Sequence, residues 1–152
     1  MRSPSVFNFF LPGYVSPHSL TANAGLVAPE MQITHETSVV GYANFMRSGV
    51  QSGFGQNGID FKAARRDVQA NYAGALALAD DAAGLTTYVA SKLITDPDPA
   101  LLTDIQQAVE SVTVPALKAD ASNQTSVTNA RTNRVYIAVY LSLVSPDFLV
   151  QK

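Results

Sequence analysis

Two histidines, His18 and His35, are the only side chains of this sequence that change charge near neutral pH at an ordinary pKa. His35 has company: Glu36 adjoins it, and Glu30 stands five positions earlier. A histidine beside carboxylates could move a proton or hold a metal. Successive helix residues do not share a face, however, so His35 and Glu36 cannot aim together at one ion from one helix. Neither His-x-x-x-His nor His-Glu-x-x-His occurs. The ordinary reading is that both open a helix, where Glu36 suits the positive end of the macrodipole. His18 lies in a Pro/Ser turn, Ser16-Pro17-His18-Ser19, and reads as a solvated loop residue. His35 and Glu36 are therefore weak catalytic candidates. No metal site and no cofactor are expected.

Other reactive patterns are scarce. Cysteine is absent, which excludes thiolate chemistry, disulfides and Cys-ligated metals. No Gly-x-Ser-x-Gly elbow occurs. The Gly-x-Gly at Gly53 and Gly55 lacks the Gly-Lys-Ser/Thr of a phosphate loop. The adjacent carboxylates Asp80 and Asp81 precede a helical stripe, so capping is the expected role. Arg65, Arg66, Arg131 and Arg134 are the cations to weigh. Arg131 and Arg134, three apart, share a face near the start of a helix, where cations are mildly unfavourable. Ionic pairing with a carboxylate from another segment is the expected role, with anionic ligand recognition as the lesser one. Asn123-Gln124-Thr125 is a glycosylation sequon, meaningful only in a eukaryotic secretory setting.

The elements that would position these residues are helical. Thr34 is a plausible N-cap for a helix to about Arg47, with Val39, Ala43 and Met46 at helical spacing, flanked by Val40, Tyr42 and Phe45. Its apolar residues occupy much of the circumference, so it is expected at the centre of the fold, with Gly49 ending it. Residues 48–58 carry four glycines and read as a loop. A helix is expected from about Gln69 to Ala79, with Tyr72, Ala75, Leu76 and Ala79 on one side. A second follows an Asp80 or Asp81 cap, with Leu85, Tyr88, Val89 and Leu93 as its stripe. Asp98-Pro99 starts a third, bearing Leu101, Leu102, Ile105, Ala108, Val109 and Val112, which stops before Pro115. The longest runs from about Ser126 or Thr128 to Val144. Ser145-Pro146-Asp147 then opens a terminal turn, with Asp147 facing its positive end and Phe148 and Leu149 tucked onto the core. Strand signals are confined to Val6–Phe10 and Asp60–Val68.

The expectation is an all-α fold: an irregular aromatic N-terminal arm, residues 1–28, followed by about five amphipathic helices over residues 29–152 in an orthogonal or bundle-like array. Pro29 could lead a short turn. Phe7, Phe9, Phe10 and Tyr14 crowd the arm beside Leu20 and Leu26, and read as partner-binding residues. A greasy segment at a chain end needs a surface to bury against. Charged residues are only 14% of the chain and the net charge is −2, so nothing recommends nucleic acid or an anionic membrane. No apolar run reaches the roughly 18 residues of a membrane span, and the start does not read as a signal peptide. Tyr14, Tyr42 and Tyr72 could serve as stacking platforms in a glycan- or polymer-binding module. Helical placement of Tyr42 and Tyr72 favours packing instead.

Three segments together resemble a known family. They are Ser3-Pro4-Ser5-Val6-Phe7-Asn8-Phe9-Phe10-Leu11-Pro12-Gly13-Tyr14, the stretch from Gly25 to Phe45 with Ala28-Pro29-Glu30-Met31-Gln32-Ile33-Thr34-His35-Glu36, and the end from Ala138 through Ser145-Pro146-Asp147-Phe148-Leu149-Val150-Gln151-Lys152. Their order and spacing are similar to the C-terminal part of the bacterial domain of unknown function 1800 family. That resemblance implies a mostly helical, exported protein of several hundred residues, of which this chain is the final third. Such proteins are often encoded beside a sulfatase-like family. No agreed catalytic residues come with it.

Two function classes stand ahead of a glycan- or polymer-binding module. The leading expectation is a structural and interaction module of an exported bacterial protein, its arm packed on upstream polypeptide, on a second copy, or on another exported protein. The alternative is part of an extracytoplasmic, hydrolytic enzyme with a site near His35 and Glu36. For this chain alone the balance falls against an enzyme. The location is expected to be periplasmic or secreted, through a signal outside this sequence.

Overall fold

A computed structural model of the chain describes residues 11–27, 29–33, 36–55 and 66–149. The fold is all-α, and the longest sequence periodicities account for it. Among the described residues the only β-pairing is an isolated antiparallel bridge between Phe54 and Val68. None of the described helices is long and apolar enough to cross a membrane. The chain divides into two compact units, Met1–Ala43 and Asn44–Lys152.

In the first unit, α1 (Leu20–Asn23) stands where irregular backbone was expected. Ser19 explains it: its Oγ accepts from the Ala22 N–H at 3.1 Å and donates to the Ser16 carbonyl at 2.6 Å, a local cap. Pro29 opens a 3-10 turn, Pro29–Ile33. Gln32 ties that turn to the preceding loop, its Nε2 donating to the Leu11 and Pro29 carbonyls at 3.3 and 3.1 Å. Leu26 is 58% exposed and so is not the anchor the sequence suggested.

Helix α2 spans Glu36–Ser52 and runs through the division between the units. It corrects two expectations. Gly49 does not end it; the ring of Phe54 lies where a Gly49 side chain would project, so this glycine makes room for an aromatic. The terminator is Gly53, at φ +83°, whose N–H donates to the Gly49 carbonyl at 2.8 Å. Nor is α2 central. Val39, Val40 and Phe45 are 55%, 58% and 60% exposed. Only toward its end does it bury a large side chain fully, at Val50.

The core of the second unit lies where three helices meet. The expected long helix before Asp80 shrinks to α3 (Ala73–Leu76) followed by turns. Ala75 and Ala79 face inward, whereas Leu76 turns out. Asp81 caps α4 (Ala82–Leu93), its carboxylate accepting from the Gly84 N–H at 3.1 Å. Asp98 caps α5 (Pro99–Glu110) with Pro99 in the first turn. α6 (Gln124–Val144) is the longest element, and α3, α4, α5 and α7 (Pro146–Leu149) all pack on it. Leu85 and Val89 of α4, Ile105 and Val109 of α5, and Val135 and Ala138 of α6 form the buried cluster. Tyr88, expected inward, is half on the surface with the Lys92 ammonium 5.7 Å from its ring centre. Asp147 stands in the first turn of α7, as expected. Its Oδ2 accepts from the Asp98 N–H at 2.9 Å, pinning α7 beside the start of α5. Leu149 stays 53% exposed rather than tucked in.

Thr86 is buried on α4, and its hydroxyl has no hydrogen-bond partner among the described residues. An unmade bond inside a core costs desolvation with no return. Thr86→Val, nearly isosteric, should therefore leave stability unchanged or raise it by up to about 1 kcal/mol, read from chemical denaturation. Two glycine substitutions should separate in the same assay. Gly41→Ala has open space around it within α2 and should stabilise by about 0.5–1 kcal/mol. Gly53→Ala meets positive φ and the Val68 carbonyl 2.5 Å from the new carbon, and should cost more than about 1 kcal/mol.

Candidate functional site

Three charged residues singled out by the sequence, Asp80, Arg131 and Arg134, come together where the middle of α6 meets the turns after α3 and the segment after α5. Arg131 and Asp80 form a forked pair, Nε to Oδ1 at 2.9 Å and Nη2 to Oδ2 at 2.6 Å. Two parallel charge-assisted bonds fix both side chains in one plane. The Arg131 hydrogen bonds hold the Asp80 carboxyl below the ordinary aspartate range, and the bonded carboxylate raises the arginine in turn. The pair is open to water, with 40% of the arginine side chain and 60% of the aspartate side chain exposed. It orients more than it stabilises.

Arg134, one turn further on, does different work. Its Nε donates to the Val112 carbonyl at 2.8 Å and its Nη1 to the Ala79 carbonyl at 3.1 Å. Val112 follows the C-cap of α5 and Ala79 lies in the turns after α3, so both carbonyls stand outside the helical ladders and take a side-chain donor instead. One planar guanidinium thus ties both segments to α6 at once. Lysine, with a single nitrogen, has no such fork. The sequence expectation paired both arginines with carboxylates; among the described residues Arg131 is so paired, whereas Arg134 sits opposite carbonyls.

A groove of about 560 Å³ opens beside these side chains, lined also by Glu110, Val114, Pro115 and Leu117. Two arginines and two carboxylates, Asp80 and Glu110, face it, and their formal charges cancel. Each guanidinium already gives two of its N–H donors to protein acceptors. The groove therefore offers an anion little net attraction, and its chemistry is that of a structural lock.

The remaining candidates fall elsewhere. Phe7, Phe9, Phe10, His35 and Arg65 lie outside the described residues. Glu36 is the first residue of α2. Tyr14 is half-buried in the loop before α1, and His18 is exposed with φ +54°. Among the described residues no group of three or more His, Cys, Asp or Glu is placed to hold a metal ion. Tyr72 is a packing residue: its hydroxyl donates to the Val50 carbonyl at 2.9 Å and its ring meets Tyr136 edge-on at 5.6 Å. Burial, then the neighbouring Tyr136, raises its pKa. Asn123 of the sequon is likewise occupied, its amide donating to the Ala116 carbonyl and accepting from the Lys118 N–H at 2.8 and 2.9 Å.

Asp80 as the partner of Arg131 escaped the sequence reading, yet a signal was present. Two adjacent aspartates precede one helix, only one can cap it, and the other is free for a cation. No protein-family model, curated protein or solved structure matches the chain.

Because Asp80 is held below its ordinary pKa, its contribution to stability is complete above the unfolded value near about pH 4 and is lost as pH falls through the lower native value. A carboxyl NMR titration should find Asp80 titrating below a free aspartate, and Arg131→Gln should return it to the ordinary range. An unshifted Asp80 in the parent chain would contradict the forked geometry. Arg134→Lys should destabilise by about 1–3 kcal/mol despite keeping the charge, since one ammonium nitrogen does not reproduce donors set on two separate guanidinium nitrogens.

Proposed function

We propose that this chain is a helical structural and interaction module, the C-terminal portion of an exported bacterial protein, whose apolar surface is covered by upstream polypeptide. The observation that carries this reading is α2. A helix with apolar residues around most of its circumference belongs inside a protein. Here Val39 and Val40 in the first unit, and Phe45 in the second, stand more than half exposed. Large apolar side chains left open in this way mark an interaction site. The resemblance to the domain of unknown function 1800 family supports the same reading, since it implies a larger helical protein and an extracytoplasmic home. The charged groove at Asp80, Arg131 and Arg134 supports it too, because its arginines are committed to holding the fold.

On this reading the chain by itself pairs its open apolar surface with another copy. Sedimentation of the 152-residue chain should show self-association and 1-anilinonaphthalene-8-sulfonate should bind. Val39→Ser with Val40→Ser and Phe45→Ser should weaken both without lowering helix content by circular dichroism. A folded monomer that binds no dye would end the proposal.

A further inference from the structure

A second, smaller cleft lies in the Asn44–Lys152 unit between the last turns of α2 and the middle of α6. It encloses about 300 Å³ and is lined by Arg47, Val50 and Gln51 of α2, by Asn133, Tyr136, Ile137 and Tyr140 of α6, and by Val112. That size stands at the lower end of small-molecule sites. Val50, Val112 and Ile137 supply an apolar lining, and Tyr136 and Tyr140, one turn apart, supply aromatic walls. The cleft is braced from behind. Tyr72 bonds the Val50 carbonyl with its hydroxyl and holds Tyr136 with its ring, so one side chain fixes parts of both helices. A pre-formed wall lowers the ordering cost of binding.

The polar groups of this cleft are unspent, in contrast to those of the larger groove. Within the described residues, the side chains of Arg47, Gln51 and Asn133 and the hydroxyls of Tyr136 and Tyr140 make no hydrogen bond or ion pair. Arg47 is the sole charged residue among the lining positions. An apolar lining beside one unpaired guanidinium matches a molecule with an apolar body and one carboxylate, which arginine recognises through two parallel bonds.

We propose that this cleft binds a small aryl or alkyl monocarboxylate, its acid group on Arg47 and its body against Val50, Ile137 and the two tyrosines. This inference does not rest on the interaction reading above, because sedimentation reads the outer apolar residues of α2 while a ligand titration reads this cleft.

The test is an NMR titration of the full 15N-labelled chain with 3-phenylpropanoate, and in parallel with 3-phenylpropylamine, which has the same body and the opposite charge. The acid should give saturable shifts at Tyr136, Ile137 and Val112 with a Kd in about the millimolar range or tighter, and the amine should give none there. Arg47→Gln should weaken the acid about tenfold. Gln51→Glu should weaken it as well and admit the amine. Absence of saturable shifts at the cleft, equal affinity for acid and amine, or unchanged affinity in Arg47→Gln would each overturn the assignment.

Discussion

The second unit depends on α6 presenting one continuous inward stripe. Val127, Val135, Ala138 and Ser142 are buried along it, at spacings of eight, three and four residues that keep a helix face in line. Small residues on this stripe and on its neighbours, Ala75, Ala79, Ala82 and Ala138, let backbones approach closely. The bulkier Leu85, Ile105 and Val109 fill what remains. Dense packing of this kind makes the cluster sensitive to single methylene changes. Polar groups on the stripe are admitted only with their bonds made locally. The Ser142 hydroxyl returns to the Ala138 carbonyl at 2.9 Å, and the Ser145 hydroxyl to that of Ser142 at 2.8 Å. On α4, by contrast, the buried Thr86 hydroxyl has no partner among the described residues.

Charged residues are few, and in this unit several are spent on joining segment ends. Arg134 closes the ends of the α3 turns and of the α5 segment, Asp147 holds the start of α5, and Arg131 with Asp80 bridges α6 to the turn before α4. Each link spans distant sequence, and each uses a backbone group outside the helical ladders or a side chain that already stands beside one. A surface poor in Lys and Glu can thus still hold its helices in register. The same economy isolates Arg47, which has no such partner among the described residues and lies next to an apolar cleft.

α2 is the element whose sequence and surroundings disagree. Its composition is that of a buried helix, and its exposure is that of a surface one. Local consistency across the rest of the unit makes this mismatch informative, since conflicts between pattern and burial concentrate where a protein meets something else. Gly49 and Gly53 show how closely the end of α2 is nonetheless fitted. One yields space to Phe54 and the other turns the chain so that Phe54 can pair with Val68, through bonds of 2.8 and 3.1 Å.

By itself the sequence determined the helices that carry their own punctuation. Asp98-Pro99 announced α5, the paired aspartates announced α4, and Ser145-Pro146 announced the last turn, because caps and prolines act within a few residues of where they stand. It determined the inward faces of α4 and α5 through Leu85, Val89, Ile105 and Val109, since apolar spacing and helical period coincide there. Only the tertiary structure decided which aspartate would cap and which would meet Arg131, and that Arg134 would find carbonyls instead of a carboxylate. It also decided that Gly49 would stay inside a helix and that the cleft at Arg47 would form at all. The physical reason is the same in each case. These outcomes depend on groups 22 to 55 residues apart in sequence, or on a ring that folds back from beyond the helix end, and a local pattern holds no record of what will arrive opposite it.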